Sequence, residues 1–123
     1  MKHLLILLIS ILLLSSPVIG QETGELYQWE SSYGYVWKTF GDKQINAHHR
    51  GEIKNGKPHG FGICNNFYGA IGIKYVGEWE NGRRHGIGTF TQGNTHPKGP
   101  LLTTKGTYKD DKEWNATWYD NNV

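Results

Sequence analysis

The sequence predicts an all-β protein built from consecutive antiparallel hairpins, and three observations lead to this fold class. Two segments, Gly51–Gly62 and Gly77–Gly88, align without gaps and both read G-E-[IW]-[KE]-N-G-x-x-H-G-[FI]-G. Each contains an Asn-Gly pair, the strongest short signal for a hairpin turn. The chain of 123 residues is rich in Gly (17) and in aromatic residues (5 Trp, 7 Tyr and 4 Phe). The two copies start 26 residues apart. A fixed period of this length, with a hairpin turn in each copy, is typical of an array of hairpins rather than of a helical domain.

The first element, Met1–Gly20, has the three parts of a secretory signal peptide. A basic start is followed by the apolar run Leu4–Leu14, and Ser15-Ser16-Pro17 ends that run. We expect cleavage after Gly20 and export to the periplasm, the cell surface or the medium. An uncleaved membrane anchor is the alternative, but spanning a membrane takes about 20 apolar residues.

Residues 21–47 are predicted to form an aromatic N-terminal strand or cap. Alternation along a strand places Tyr33, Tyr35 and Trp37 on one face. Such a row is either a lid over the first hairpin or a flat platform for a glycan, a peptide or a second chain, because aromatic residues dominate recognition surfaces. The aromatic residues before the first repeat are Tyr27, Trp29, Tyr33, Tyr35 and Trp37.

Residues 48–123 are predicted to hold the repeats, with copies at about 49–74 and 75–103 and a degenerate third copy at 104–119. Asn55-Gly56 and Asn81-Gly82 predict type I′ turns, although the loops could extend through the next two residues. The segment Gln92–Lys105 contains several Gly and Pro residues and is predicted to be a long loop.

Repeated glycines within strands cost stability, so they predict close approach of large rings to the backbone. In the second copy Tyr75, Gly77 and Trp79 share one strand face, whereas Val76, Glu78 and Glu80 share the other. The rings expected to pack over the backbone of neighbouring hairpins are Trp79, Phe61, Phe90, Tyr75 and Tyr108.

The pattern Y-x-G-x-W-x-N-G-x-x-H-G-x-G resembles the MORN (membrane occupation and recognition nexus) repeat, and Tyr75–Phe90 matches it best. The first copy departs from it with His49 and Ile53 at the aromatic positions. The resemblance implies an elongated, twisted single sheet that acts as a scaffold or interaction module. The chain also resembles short exported bacterial MORN proteins, whose last copy ends in a W-N-G-T-like run, here Trp114–Thr117.

The histidines do not show the spacing of a metal site, which needs three or four converging ligands. His59 and His85 occupy one repeat position, so we expect a structural role, such as a hydrogen bond to a loop carbonyl. His48 and His49 are strand neighbours that should point to opposite faces. The histidines considered are His48, His49, His59, His85 and His96.

No catalytic, cofactor-binding or metal-binding residues are predicted, and we expect a non-enzymatic protein. Cys64, the one cysteine, has no intramolecular disulfide partner and falls in a strand-like run. Glu52 and Glu78 are expected to face solvent and pair with Lys or Arg across the strand. Gly60-Phe61-Gly62 and Gly86-Ile87-Gly88 are not followed by helices, so they are repeat glycines rather than phosphate loops.

The expected partner is an unidentified protein or envelope component, with self-association through exposed edge strands as a further possibility. The net charge of +2 is too small to favour nucleic acid. Asn115-Ala116-Thr117 is a formal glycosylation sequon. A weaker alternative is a peripheral binder of anionic lipid or glycan, using the aromatic row or basic hairpin tips formed by Lys54, Lys57, Arg83, Arg84 and Lys98.

Overall fold

A computed structural model describes residues 21–68, 71–94 and 101–120. The predicted signal peptide, His96 and Lys98 therefore lie outside the described residues. The described chain consists of eight β-strands and turns. The strands are β1 (Gln21–Ser31), β2 (Gly34–Lys38), β3 (His48–Lys54), β4 (Lys57–Tyr68), β5 (Ile71–Glu80), β6 (Arg83–Asn94), β7 (Leu101–Lys109) and β8 (Lys112–Asp120).

All eight strands belong to one antiparallel sheet in the order β2-β1-β3-β4-β5-β6-β7-β8. The sheet is open, with β2 and β8 at its edges. The predicted all-β fold of consecutive hairpins is confirmed. The N-terminal aromatic region contributes two strands rather than one, because β1 pairs with β2 through Tyr27–Ser31 and with β3 through Gln21–Tyr27.

The hairpin turns have the predicted chemistry. Asn55 and Gly56 have φ values of 52° and 72°, and Asn81 and Gly82 have values of 49° and 82°. Positive φ at both central residues defines the type I′ turn, whose twist matches that of the flanking strands. The loops are two residues long, since β4 starts at Lys57 and β6 at Arg83. The third turn uses Asp110-Asp111, also at positive φ.

The loop within the segment Gln92–Lys105 is shorter than predicted. Strand β6 continues to Asn94 and β7 begins at Leu101, with Gln92 paired to Leu102. The Gly and Pro content suggested a loop across the whole segment, but the ladder between the two strands extends into it. Residues 95–100 between the strands lie outside the described part of the chain.

A β-bulge in which one residue faces three recurs in the first two repeat hairpins. Between the paired glycines and the turn, Glu52 alone on β3 faces His59–Phe61 on β4. Glu78 on β5 faces His85–Ile87 on β6 in the same way. Such bulges remove peptide groups from the ladder and increase the local twist.

The side chains of each bulged repeat replace the missing ladder bonds. His49 Nε2 donates to the Glu52 carbonyl at 3.2 Å, and the Tyr75 hydroxyl donates to the Glu78 carbonyl at 2.9 Å. The Glu78 carboxylate accepts the Ile87 N–H at 2.5 Å. The first repeat has the same bond, because the Glu52 carboxylate accepts the N–H of Phe61. Backbone groups that would be unpaired in a bulge are therefore satisfied within the repeat.

The core lies on one face of the sheet, called here the inner face. At the first aromatic position of the repeat, His49, Tyr75 and Thr104 are all buried, and at the second position Ile53, Trp79 and Tyr108 are buried. The Tyr75 ring contacts Trp79 and Tyr108 edge to face, with centroids 5.2 and 5.1 Å apart. Edge-to-face contact is a favoured geometry for aromatic pairs.

The predicted packing of rings over glycines is present on the inner face. A Cβ atom on Gly88 would collide with the Tyr75 ring, and one on Gly62 would collide with the His49 ring. These contacts lie within a hairpin, whereas the Trp79 indole reaches the neighbouring one and donates to the Gly62 carbonyl at 3.4 Å. Phe90 packs against this core.

The prediction that Phe61 packs in the core is wrong. Phe61 pairs with Glu78 on the opposite, outer face, and its side chain is 53% exposed. Phe61 is adjacent to Gly62, which lies under the inner-facing His49 ring, so alternation along β4 places Phe61 on the outer face.

Alanine substitutions at two glycines of positive φ separate backbone strain from crowding. Gly56 has open space around it, so Gly56→Ala should cost the left-handed strain alone, about 1 kcal/mol. A Cβ on Gly86 would meet the Glu78 carboxylate, so Gly86→Ala should cost about 3 kcal/mol. Urea unfolding of both variants and the unmodified chain measures the difference. Equal losses would contradict the role of the Glu78 carboxylate in the bulge.

Candidate functional site

The hairpin of β1 and β2 lies over part of the inner face. Strand β2 is four places from β5 in the sheet, about 19 Å at the usual strand spacing. Nevertheless, the Trp37 ring on β2 contacts the Trp79 ring on β5, with centroids 6.0 Å apart. The Trp37 indole also donates to the Gly82 carbonyl at 3.2 Å. The end of the sheet must therefore fold back over the inner face.

This arrangement leaves a cleft of about 360 Å³ between the first hairpin and strands β4–β6. We call it the aromatic cleft. Its volume falls at the lower end of the range for small-molecule sites, about 300–1,000 Å³. Its lining residues are Gln28, Tyr35, Trp37, Ala47, Cys64, Asn66, Ile73, Tyr75, Trp79, Arg84, Phe90 and Asp111.

The aromatic row of the first hairpin serves partly as a lid and partly as exposed surface. Trp37 packs against the core and fits the lid interpretation. Tyr35 is 67% exposed and Tyr33 is fully exposed. Trp29 points to the other face of the hairpin, where its indole donates to the Phe40 carbonyl at 2.8 Å. Tyr27 stacks on His48 at 4.8 Å.

Arg84 lies in the aromatic cleft, not at a solvated hairpin tip as predicted. Its guanidinium is 5.4–5.7 Å from the ring centroids of Tyr75, Phe90 and Tyr108. Its Nε lies 3.5 Å from Asp111 Oδ1, and its Nη2 donates to the Asp111 carbonyl. Two further hydrogen bonds join the same residues, because the Arg84 N–H donates to Asp111 Oδ1 and the Asp111 N–H donates to the Arg84 carbonyl. This pair was not predicted, since no local pattern relates residues so far apart.

Glu52 and Glu78 have a role that was not predicted for them. Their carboxylates accept backbone N–H groups of Phe61 and Ile87 across the bulge. The repeated glutamate is therefore a structural acceptor of the bulge. The two G-x-G segments belong to strands β4 and β6, which agrees with their interpretation as repeat glycines.

The histidines separate into two buried and two half-buried residues. His48 and His49 point to opposite faces, as predicted; His48 Nε2 lies 3.3 Å from the Glu25 carboxylate. His59 Nδ1 accepts the N–H of Asn81 in the next turn at 3.3 Å, instead of donating to a loop carbonyl. His85 Nε2 lies 3.1 Å from Glu80. Among the described residues, no group of three or more His, Cys, Asp or Glu side chains is arranged to hold a metal ion.

Cys64 lies on β4 and faces the aromatic cleft between His49 and Tyr75. Burial raises the pKa of its thiol to about 12, and this effect outweighs the opposing charge of Arg84. Nucleophilic cysteines depend on the thiolate, which such a pKa makes scarce at neutral pH. Burial also raises the pKa of Tyr75 and of Tyr108.

Strand β8 forms a second candidate site at the edge of the sheet. Eight of its nine residues are exposed, all except Ala116, and Trp114 is 72% exposed. The remaining large rings are Trp118 and Tyr119, both exposed. The sequon Asn115-Ala116-Thr117 lies within this strand rather than in a loop.

Family comparison identifies the repeat that the fold contains. The model of the MORN repeat matches residues 49–65 and 75–95, the two copies that carry the bulge. The chain therefore contains MORN repeats at these two places. Comparison with curated proteins and with solved structures finds no match. Within residues 21–68, 71–94 and 101–120, no helix has the length and apolarity needed to cross a membrane.

The buried His49 makes the stability of this MORN-repeat protein depend on pH. Burial lowers the pKa of His49 from its ordinary value of 6.5 to about 4, despite the bond to Glu52. The folded state thus resists protonation, so stability is full above pH 6.5 and falls as the pH drops toward 4. Between pH 7.5 and pH 5 this group should remove about 2 kcal/mol.

Urea unfolding at both pH values tests this dependence with His49→Tyr, which introduces the residue found at the same position of the second repeat. The variant should lose about 2 kcal/mol less than the unmodified chain. His48, whose pKa is also lowered by burial, remains in both proteins and contributes equally. An NMR titration of the His49 ring provides a direct check. A midpoint near 6.5 would contradict the prediction.

Proposed function

We propose that this MORN-repeat protein is an exported, non-enzymatic interaction module that binds a protein through strand β8. The MORN repeats support the general role of a module for protein or membrane interaction. The observation that carries the specific proposal is the open edge of the sheet at β8. In the described part of the chain, β8 has β7 as a neighbour on one side alone.

An edge strand presents backbone N–H and C=O groups that another strand can pair with. Natural edges are usually protected by charges, prolines or bulges. Trp114 forms a bulge near the start of β8, but the stretch that follows, Asn115–Tyr119, contains no charged residue, no proline and no further bulge. Exposed Trp and Tyr rings on both faces of the strand would add contact area beside a backbone ladder.

The environments of Cys64, Glu52 and Glu78 support the non-enzymatic part of the proposal. Cys64 is the most obvious nucleophile in the sequence, but its raised pKa opposes thiolate formation. Glu52 and Glu78 are occupied by the backbone of the bulge. No cofactor is proposed.

Binding of anionic lipid through basic hairpin tips is less well supported. Arg84 is directed into the aromatic cleft and paired with Asp111. Asp110 and Asp111 occupy the third turn, so the tips carry both signs of charge. The remaining cations provide a weak electrostatic attraction to an anionic surface.

The N-terminal segment is expected to direct export. When the complete chain is expressed in a bacterial host, the periplasmic fraction should contain protein that begins at Gln21, as measured by intact mass. The reason is the match of Met1–Gly20 to a secretory signal. Cytoplasmic protein that retains Met1 would contradict export. A variant with Leu8→Arg and Leu12→Arg is the control, because charges in the apolar run should block translocation.

Strand pairing at β8 predicts self-association when no foreign partner is present. In light scattering with size-exclusion chromatography, residues 21–123 should shift toward about twice the monomer mass as the concentration rises. Trp114→Glu and Trp118→Lys place charges along the edge and should shift the equilibrium toward monomer by about tenfold. Ile87→Glu is the matched control, since Ile87 is 71% exposed but lies in the middle of the outer face.

The outcomes of this experiment are distinct. A monomer at every concentration up to about 200 μM would overturn pairing through β8. Self-association that Ile87→Glu abolishes and the β8 variants retain would place the interface on the outer face and also reject the proposal. Loss confined to the two β8 variants is the expected result.

A further inference from the structure

The aromatic cleft contains features of a ligand site that strand pairing at β8 does not use. It continues into a second depression of about 660 Å³, which runs over the hairpin tips. The two share Gln28, Tyr35, Trp37 and Asp111. Together they form a groove that begins at the buried Trp79 and ends at the fully exposed Tyr33. A groove of this shape suits an elongated ligand.

The charges in the inner part of the groove are matched within the protein. Arg84 and Asp111 are joined by a side-chain ion pair, by one backbone bond and by two bonds between the backbone of one residue and the side chain of the other. The guanidinium also lies over the rings of Tyr75, Phe90 and Tyr108. A charged ligand would have to compete with these contacts, so a neutral ligand fits the inner cleft better.

Neutral polar groups lie beside the rings. The side-chain amide of Gln28 makes no hydrogen bond within the described residues, and it borders both parts of the groove. Asn66 uses its Oδ1 to accept the Phe67 N–H at 2.8 Å, so its amide N–H groups remain available. Amides both donate to and accept from hydroxyl groups.

We propose that this groove binds a neutral oligosaccharide. The C–H faces of sugar rings carry slight positive charge and stack on the negative faces of aromatic rings. Tyr33, Tyr35 and Trp37 supply such rings along the groove, while Gln28 and Asn66 supply hydrogen bonds to hydroxyls. A peptide fits less well, because strands β4–β6 on the floor of the groove already pair their backbone groups on both sides, and β2 alone of the lining strands presents an edge. An acyl chain would leave the amides unpaired.

Titration of the unmodified residues 21–123 with neutral hexasaccharides tests the proposal. The probes are cellohexaose, chitohexaose, xylohexaose and laminarihexaose, and the readout is the NMR signal of each tryptophan indole. At least one probe should shift the Trp37 and Trp79 signals saturably and leave the Trp114 signal in place. A probe of six galacturonate units measures whether charge is required.

Substitutions then locate the binding surface. Tyr35→Ala should weaken binding of the active hexasaccharide at least tenfold without changing the melting temperature, since Tyr35 is mostly exposed. Tyr119→Ala removes a tyrosine of similar exposure from β8 and should leave affinity unchanged. Tyr33→Ala cannot disturb the core, because its side chain is fully exposed. It should weaken binding of the hexasaccharide but not of the matching trisaccharide.

Three results would overturn the proposal. These are no saturable shift with any neutral probe at about 10 mM, tighter binding of the charged probe that high salt removes, and shifts confined to Trp114 and Trp118. The first two results do not bear on pairing through β8, and the third would place the saccharide on β8 without deciding self-association, which is measured by molecular mass. The failure of one proposal therefore leaves the other unaffected.

Discussion

The hydrogen bond from the first aromatic position of a repeat to the carbonyl three residues later organises the whole sheet. Tyr75 donates to Glu78 and His49 donates to Glu52, so a different side chain performs the same task in each copy. The bond satisfies the carbonyl that the bulge removes from the ladder. It also holds the ring flat against Gly88 or Gly62, where any Cβ would collide with it. The glycines, the bulge and the ring therefore form one unit.

The third copy shows what happens when this unit is incomplete. Thr104 replaces the first aromatic residue, and the Tyr108 hydroxyl donates to the Thr104 carbonyl at 3.3 Å instead. Thr107 takes the place of Glu52 and Glu78, and the bulge is reduced to one extra residue, Trp114, opposite Thr107 and Tyr108. In the described part of the chain no strand lies beyond β8, so the rings of Trp114, Trp118 and Tyr119 remain exposed.

Much of the fold was predictable because it depends on local chemistry. Asn-Gly pairs require positive φ at both central residues, and alternation assigned Tyr75 and Trp79 to the buried face. These features arise within a single hairpin, so a repeat pattern of 12 residues is enough to reveal them. The assignment to the MORN family rested on the same pattern.

The candidate site was less predictable because it depends on contacts between distant residues. Nothing near Trp37 in the sequence indicates that its indole meets Gly82, or that Arg84 pairs with Asp111. Phe61 lies outside the core because it neighbours the inner-facing Gly62. The bond from the Phe61 N–H to the Glu52 carboxylate was not predicted, because strict alternation does not represent a bulge in which one residue faces three.

The bonds between successive hairpins give the array a direction. Gly82 N donates to the Pro58 carbonyl, and Asp111 N donates to the carbonyl of Arg84, which occupies the same repeat position as Pro58. The second and third turns are thus each hydrogen-bonded to the hairpin that precedes them in the sequence. The corresponding position in the last copy is Glu113, on the strand that ends the sheet. Gene duplication can therefore lengthen such a protein at its C-terminal end by adding one hairpin at a time. A hairpin cannot be added beside β2 in the same way, because the hairpin of β1 and β2 already lies across the first two copies.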